Sequence, residues 1–166
     1  MSTFQQSMQE FKQQLATSSL PQAYQGLMEY ILGLRTHLQN KYPGQYVSGS
    51  LYTGYMDMTY FSLTPRSLQE RKLKIAIVFV YQTFRFEVWL AAANKQVQAH
   101  YWELFKRSGW QHYPLLPDIK GQDSIIEHIL ANDPDFGDLD ALTAQIETRT
   151  LEFIAKIEAF LSNLPG

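Results

Sequence analysis

Apolar positions recur along this chain with two different periods, and each change of period marks a change in the kind of element. Phe4, Met8, Phe11 and Leu15 are spaced by four, three and four residues. That is the stripe of an amphipathic helix, which Ser2 or Thr3 would cap. Pro21 suits the first turn of a second helix. In it Tyr24, Leu27, Met28, Ile31, Leu34 and Leu38 make one wide apolar face as far as about Asn40, before Tyr42-Pro43-Gly44 ends it. A link this short predicts an antiparallel helix hairpin whose apolar faces need a sheet to cover them.

Residues 51–90 then carry the densest β-branched and aromatic runs. LYTGYMDMTYF (51–61), KLKIAIVFV (72–80) and FRFEVWL (84–90) predict a three-stranded antiparallel meander. Gly49 and Gly54 predict a bent or bulged first strand. The polar RSLQER segment after Thr64-Pro65 reads as a loop or a single helical turn. If Gln82-Thr83 forms the hairpin loop, Phe79 pairs with Phe86, Ile77 with Val88 and Ile75 with Leu90 on one core face, although neither residue is one such tight turns favour and a loop longer than two is the alternative. The opposite face then carries Lys74, Ala76, Val78 and Val80 beside Arg85, Glu87 and Trp89, a mixture that implies partial cover.

Beyond the sheet the period returns to that of helices. Asn94 suits the N-cap of a helix lined by Val97, Tyr101, Leu104 and Phe105 and ending at Ser108-Gly109. WQHYPLLPDIKG, with two prolines, reads as an irregular connection with room for a short extended piece. A short helix is expected over 125–130, and after the turn cluster NDPDFG a long one over 138–161. Its stripe is Leu139, Leu142, Ile146, Leu151, Ile154, Ile157, Phe160 and Leu161. With no repeat, low-complexity tract or linker, the expected fold is a single α+β domain over 1–166. It has an N-terminal helix hairpin, the three-stranded sheet, and three C-terminal helices packed on it.

Composition narrows the classes. A chain of 166 residues with 45% hydrophobic content and 23 aromatics has enough apolar surface for one core. A net charge of −2 gives no global field toward nucleic acid or anionic lipid. The absence of cysteine excludes disulfides, thiol nucleophiles and thiolate metal sites, and fits a reducing compartment. MSTFQQSMQEFKQQ lacks a basic stretch followed by an apolar one, so no secretory signal is expected. IAIVFVY is far shorter than a membrane span. A cytoplasmic protein without membrane contact is expected.

Candidate chemistry is sparse. Asp57 and Glu87 are the strand carboxylates best placed to bind a divalent ion or to do acid–base work. In a 1-2-3 meander they lie on outer strands about 10 Å apart. The favoured reading pairs Glu87 with Arg85 and ties Asp57 to nearby backbone or tyrosines. A helix, three antiparallel strands and another helix also resemble a restriction-endonuclease-like core. Such nucleases carry Glu-x-Lys on a strand, whereas this strand reads Glu87-Val88-Trp89, leaving Lys74 on the same face as the substitute. A divergent metal-dependent nuclease is the alternative reading, at the level of fold analogy. Asp133, Asp135, Asp138 and Asp140 lack the spacing of a calcium loop and suit the start of the last helix. His37, His100, His112 and His128 show no paired metal spacing. No nucleophile elbow, phosphate loop or dinucleotide fingerprint is present, and no cofactor or metal is expected.

What remains is aromatic and polar. Tyr55, Asp57, Arg85, Glu87, Trp89, Tyr101 and Trp102 make a candidate surface for a small ligand or a protein partner. The competing structural reading is a large aromatic core with its polar atoms bonded internally. The segments YQGLMEYILGLRTHL, GYMDMTYFSLTP, KLKIAIVFV, FRFEVWLAAANKQVQAHYWELF and DSIIEHILANDPDFGDLDALT together resemble a family of small bacterial proteins known only as a domain of unknown function. GYMDMTYF and FEVWLAAAN are the most specific of them. The resemblance implies a bacterial single-domain protein and carries over no catalytic residue. The functional expectation is therefore a binding or interaction module using the mixed face of the sheet, with a homodimer formed through an exposed face of the last helix as a third reading.

Overall fold

A computed structural model describes residues 1–164. The chain divides into two units, Met1–His37 and Leu38–Gly166. The first holds helix α1 (Phe4–Thr17) and most of α2 (Leu20–Lys41). Thr3 caps α1 through a reciprocal box: its hydroxyl accepts from the Gln6 amide, and its own amide donates to the Gln6 side chain at 2.7 Å. The cap and stripe fall where the sequence places them, but the expected cover does not. No residue of α1 is buried, so its apolar stripe is not closed into a covered hairpin.

The second unit is built on a five-stranded antiparallel sheet in the order β1-β2-β3-β4-β5, two strands more than the three expected. The strands are β1 (Tyr46–Ser48), β2 (Met58–Pro65), β3 (Leu73–Val80), β4 (Arg85–Ala92) and β5 (Ser124–Ala131). The expected 51–61 strand is displaced: regular pairing starts only at Met58. Before it, residues 49–53 form a ragged edge, in which Gly49 donates to the Ser62 carbonyl and Tyr52 exchanges two backbone hydrogen bonds with Tyr60. Gly54 makes the turn possible. Its φ is +73°, and a Cβ there would lie 2.0 Å from the Met58 carbonyl oxygen.

The β3–β4 hairpin has the register read from the sequence, Phe79 opposite Phe86, Ile77 opposite Val88 and Ile75 opposite Leu90. Its loop has four residues, 81–84, closed by the Phe84 amide on the Tyr81 carbonyl. All six paired side chains are almost completely removed from water, with Phe61 and Leu63 of β2 beside them. Each contributes about 1.5–3 kcal/mol of burial free energy.

Segment 124–131 corrects the expectation most. It is strand β5, paired with β4, and not a helix, so the C-terminal half has two long helices rather than three. Two bulges explain the misreading. Register shifts between Leu90 and Ala91 and between Phe86 and Glu87 each add a residue, and each extra residue reverses the inside–outside phase. The strict alternation of a strand becomes the doublets Ile125-Ile126 and Leu130-Ala131, which imitate helical spacing. Gln145 and Arg149, one turn apart on α5, both donate to the carbonyl of the bulged Leu130.

The remaining helices cover one side of the sheet. The single turn α3 (Arg66–Gln69) anchors through buried Leu68. Helix α4 (Lys95–Arg107) is capped by Asn94 and α5 (Leu139–Ser162) by Asp138, so the acidic cluster starts a helix. Leu139 of the expected α5 stripe is exposed, whereas Phe153, outside that stripe, is buried and lies parallel to the ring of His128. The 110–122 connection is tied down by Trp110 donating to the Tyr113 carbonyl and by a bridge between Leu115 and Ile126.

Candidate functional site

Strand alternation places Arg85, Glu87 and Trp89 on one face of β4, with Phe86, Val88 and Leu90 on the other. Glu87 is only 4% exposed, and both of its carboxylate oxygens are engaged. Oε2 accepts from Arg85 Nε at 2.8 Å, and Oε1 accepts from Trp89 Nε1 at 2.8 Å. One buried charge thus holds a guanidinium on one side and an indole on the other, and both remain part-exposed. The bond to Arg85 uses Nε, which leaves the terminal amino groups of the guanidinium for another acceptor.

Neighbouring strands complete the face. Across β4, Glu87 lies between Val78 and Ile129, while Trp89 lies between Ala76 and Glu127. Val78 and Ala76 are buried, whereas Ile129 is 37% exposed. On the β2 side Tyr60 opposes Val78, and its ring packs 5.1 Å from that of Tyr52. The face has a closed centre and an open rim of Tyr52, Arg85, Trp89, Glu127 and Ile129. Burial pushes the Glu127 carboxyl above its ordinary range. The Ser124 hydroxyl, 2.5 Å away, and Arg85 oppose that shift, and the Glu87 carboxylate adds to it.

Other residues expected from the sequence lie elsewhere. Asp57 sits in the turn before β2, where its Oδ1 accepts from the Tyr55 amide at 2.9 Å. The Tyr55 and Met58 amides hold its carboxyl below the usual range. Tyr55 itself is 89% exposed. Lys74 is exposed and opposes Ala91, four residues from Val78 and so about 13 Å along the strand from the level of Glu87. Asp57 is two strands away from Glu87, about 10 Å from strand spacing alone. Asp57, Lys74 and Glu87 therefore sit at three separate points. Tyr101 is buried against His100, and Trp102 donates to the Leu116 carbonyl beneath Lys106. Trp102 thereby ties α4 to the 110–122 connection.

Residues 4–161 match one family over nearly the whole chain. The chain belongs to the family described as Domain of unknown function (DUF7000). No curated protein and no solved structure matches it, so the DUF7000 assignment brings no activity with it, and the chemistry rests on the face just described. Among the described residues no helix is long and apolar enough to cross a membrane.

Sequence reasoning missed Ser124, Glu127 and Ile129 because it coiled their segment. Three isoleucines within eight residues were the available signal for a strand. His128, one position from Glu127, faces the other way. It stacks 4.3 Å from Tyr113 and parallel to Phe153, and burial, with Arg149 nearby, pushes its imidazole below the ordinary range. It is a packing histidine.

Proposed function

We propose that this chain is a binding module that captures a protein or small ligand on the Arg85–Glu87–Trp89 face of its sheet. One observation carries the reading: a single buried carboxylate uses both oxygens to fix the orientation of an arginine and a tryptophan whose outer surfaces stay accessible. Arginine and tryptophan are the side chains most often found at binding hot spots. Holding them in place before contact reduces the ordering cost of association. Apolar surface at Ile129 flanks the pair, and the guanidinium favours a partner group with acceptor oxygens lying flat against it.

The test compares wild type with the double variant Arg85→Ala/Trp89→Ala in ligand-shift screens and pull-downs. Removing both partners leaves the buried Glu87 carboxylate unpaired, so the double variant is expected to be less stable. Arg85→Ala/Glu87→Gln/Trp89→Ala removes the charge as well and is expected to fold and to lose capture. Identical retention and identical thermal shifts for wild type and this folded triple variant would remove the site.

A further inference from the structure

The helix at the other end of the chain poses a separate physical problem. Helix α1 has 14 residues and buries none of them. Isolated helices shorter than about 12–15 residues are marginal in water even when rich in alanine, and this one contains five glutamines and no buried side chain. A capping box supplies about 1 kcal/mol, which does not offset the entropy of ordering that many residues. Meanwhile Phe4 is 81% exposed, and Met8, Phe11 and Leu15 are each more than two-fifths exposed, all along one stripe.

We propose that α1 is a self-association helix whose stripe is covered by α1 of a second copy, in an antiparallel pair. Three observations choose this occupant. First, the spacing of four, three and four is the same read in either direction. A two-fold axis between Gln9 and Glu10 therefore sets Phe4 against Leu15 of the partner subunit and Met8 against Phe11 of the partner subunit. Every layer then joins one aromatic to one flexible aliphatic side chain, and the helix dipoles oppose. Second, charge selects a neutral partner. Glu10 and Lys12 are the only charged residues of α1 and the rest of its polar surface is mainly glutamine, so it lacks the cationic face that binds anionic lipid and presents what an identical helix would accept. Third, the area is adequate. At about 200 Å² for a fully exposed side chain of this size, the stripe offers roughly 400 Å² of apolar surface per copy. Interfaces are only about 60% apolar, so the flanking amides bring the total near the lower bound of a stable pair.

Sedimentation equilibrium of the full chain across the micromolar range tests the pairing. Wild type is expected to be dimeric. Phe11→Glu, a change at an unburied position, is expected to weaken the dimer about a hundredfold with the near-ultraviolet spectrum of the sheet unit unchanged. A wild type that stays monomeric overturns the proposal, as does a Phe11→Glu variant that stays dimeric. Because the chain has no cysteine, orientation is tested directly. An oxidised mixture of Phe4→Cys and Leu15→Cys proteins is expected to cross-link to each other, and neither alone to itself. Self-cross-linking of Phe4→Cys overturns the antiparallel arrangement. Monomeric protein that sediments with phosphatidylserine vesicles would assign the stripe to lipid and overturn the proposal altogether. Neither readout depends on Arg85 or Trp89, so its failure is distinct from failure of the binding site.

Discussion

The two faces of the sheet are made by the same strands and treat their side chains in opposite ways. On the helix-covered face, Phe61, Ile77 and Val88 form one continuous dry row with Ile75, Phe79, Phe86 and Leu90 around it. On the other, Tyr60, Val78, Glu87 and Ile129 form the row, which is dry in the middle and wet at both ends. The first face excludes water by volume, through packing. The second does so at one point through hydrogen bonds, since a carboxylate with both oxygens satisfied can sit out of water where an unpaired one could not. Packing spreads its energy over many residues, and a bonded charge concentrates it in one.

That contrast can be broken from either side. The largest effect is expected for Phe79→Ala. Its ring is in edge contact with Tyr81, Phe84, Phe86 and Phe136, and its loss should cost about 3–5 kcal/mol in urea unfolding. Glu87→Ala comes next, at about 2–3 kcal/mol, because it strands the indole N–H and the guanidinium together. A cost under about 0.5 kcal/mol, the level of an ordinary surface change, would show that the second face does not hold itself together this way. Thr59→Val probes the polar exception on the dry face. The Thr59 hydroxyl is buried, bonded to the Thr53 carbonyl and the Tyr81 hydroxyl, and its removal should cost about 1–2 kcal/mol.

Acidity separates the faces at two adjacent residues of β5. The Glu127 carboxyl is raised from an ordinary 4.5, so the native state holds its proton more tightly than the unfolded chain. Its contribution is full below 4.5 and is lost as pH rises through the folded value. The His128 imidazole is lowered from 6.5, so its contribution is full above 6.5 and is lost as pH falls through the folded value. Glu127→Gln is expected to flatten the loss of stability on the rising side of 4.5, and His128→Leu the loss below 6.5. Thermal unfolding across pH reads both, and slopes of the same sign at the two positions would refute the burial of one of the two groups. The smallest effect belongs to exposed Lys74. Lys74→Ala should stay within about 0.5 kcal/mol and leave capture by the second face intact.

Legibility followed the same division. The β3–β4 hairpin was readable in detail because its eight-residue strands pair without a bulge about a short loop, and any one-residue slip would move Phe79 and Phe86 off the core face. From that register came the Arg85, Glu87 and Trp89 side of the face. The Ser124, Glu127 and Ile129 side was not readable, since the bulges at Ile125 and Leu130 scramble the period and only pairing with β4 forces the segment flat. Tyr101 and Trp102 failed to join the candidate surface for a related reason. A helix face is visible in sequence, but which neighbour it meets is not.

By itself the sequence determined where chain direction and water contact must alternate: a cap at Ser2 or Thr3, the cap at Asn94, the acidic start of the last helix, the hairpin register, and the phase that sets Glu87 opposite to Phe86. These depend on residues close together in the chain, so local sterics and periodicity decide them. Only the tertiary structure decided that 124–131 is an edge strand, that α5 lays Phe153 on His128, and that α1 keeps its apolar stripe in the open. Those outcomes depend on which distant surface removes a given side chain from water.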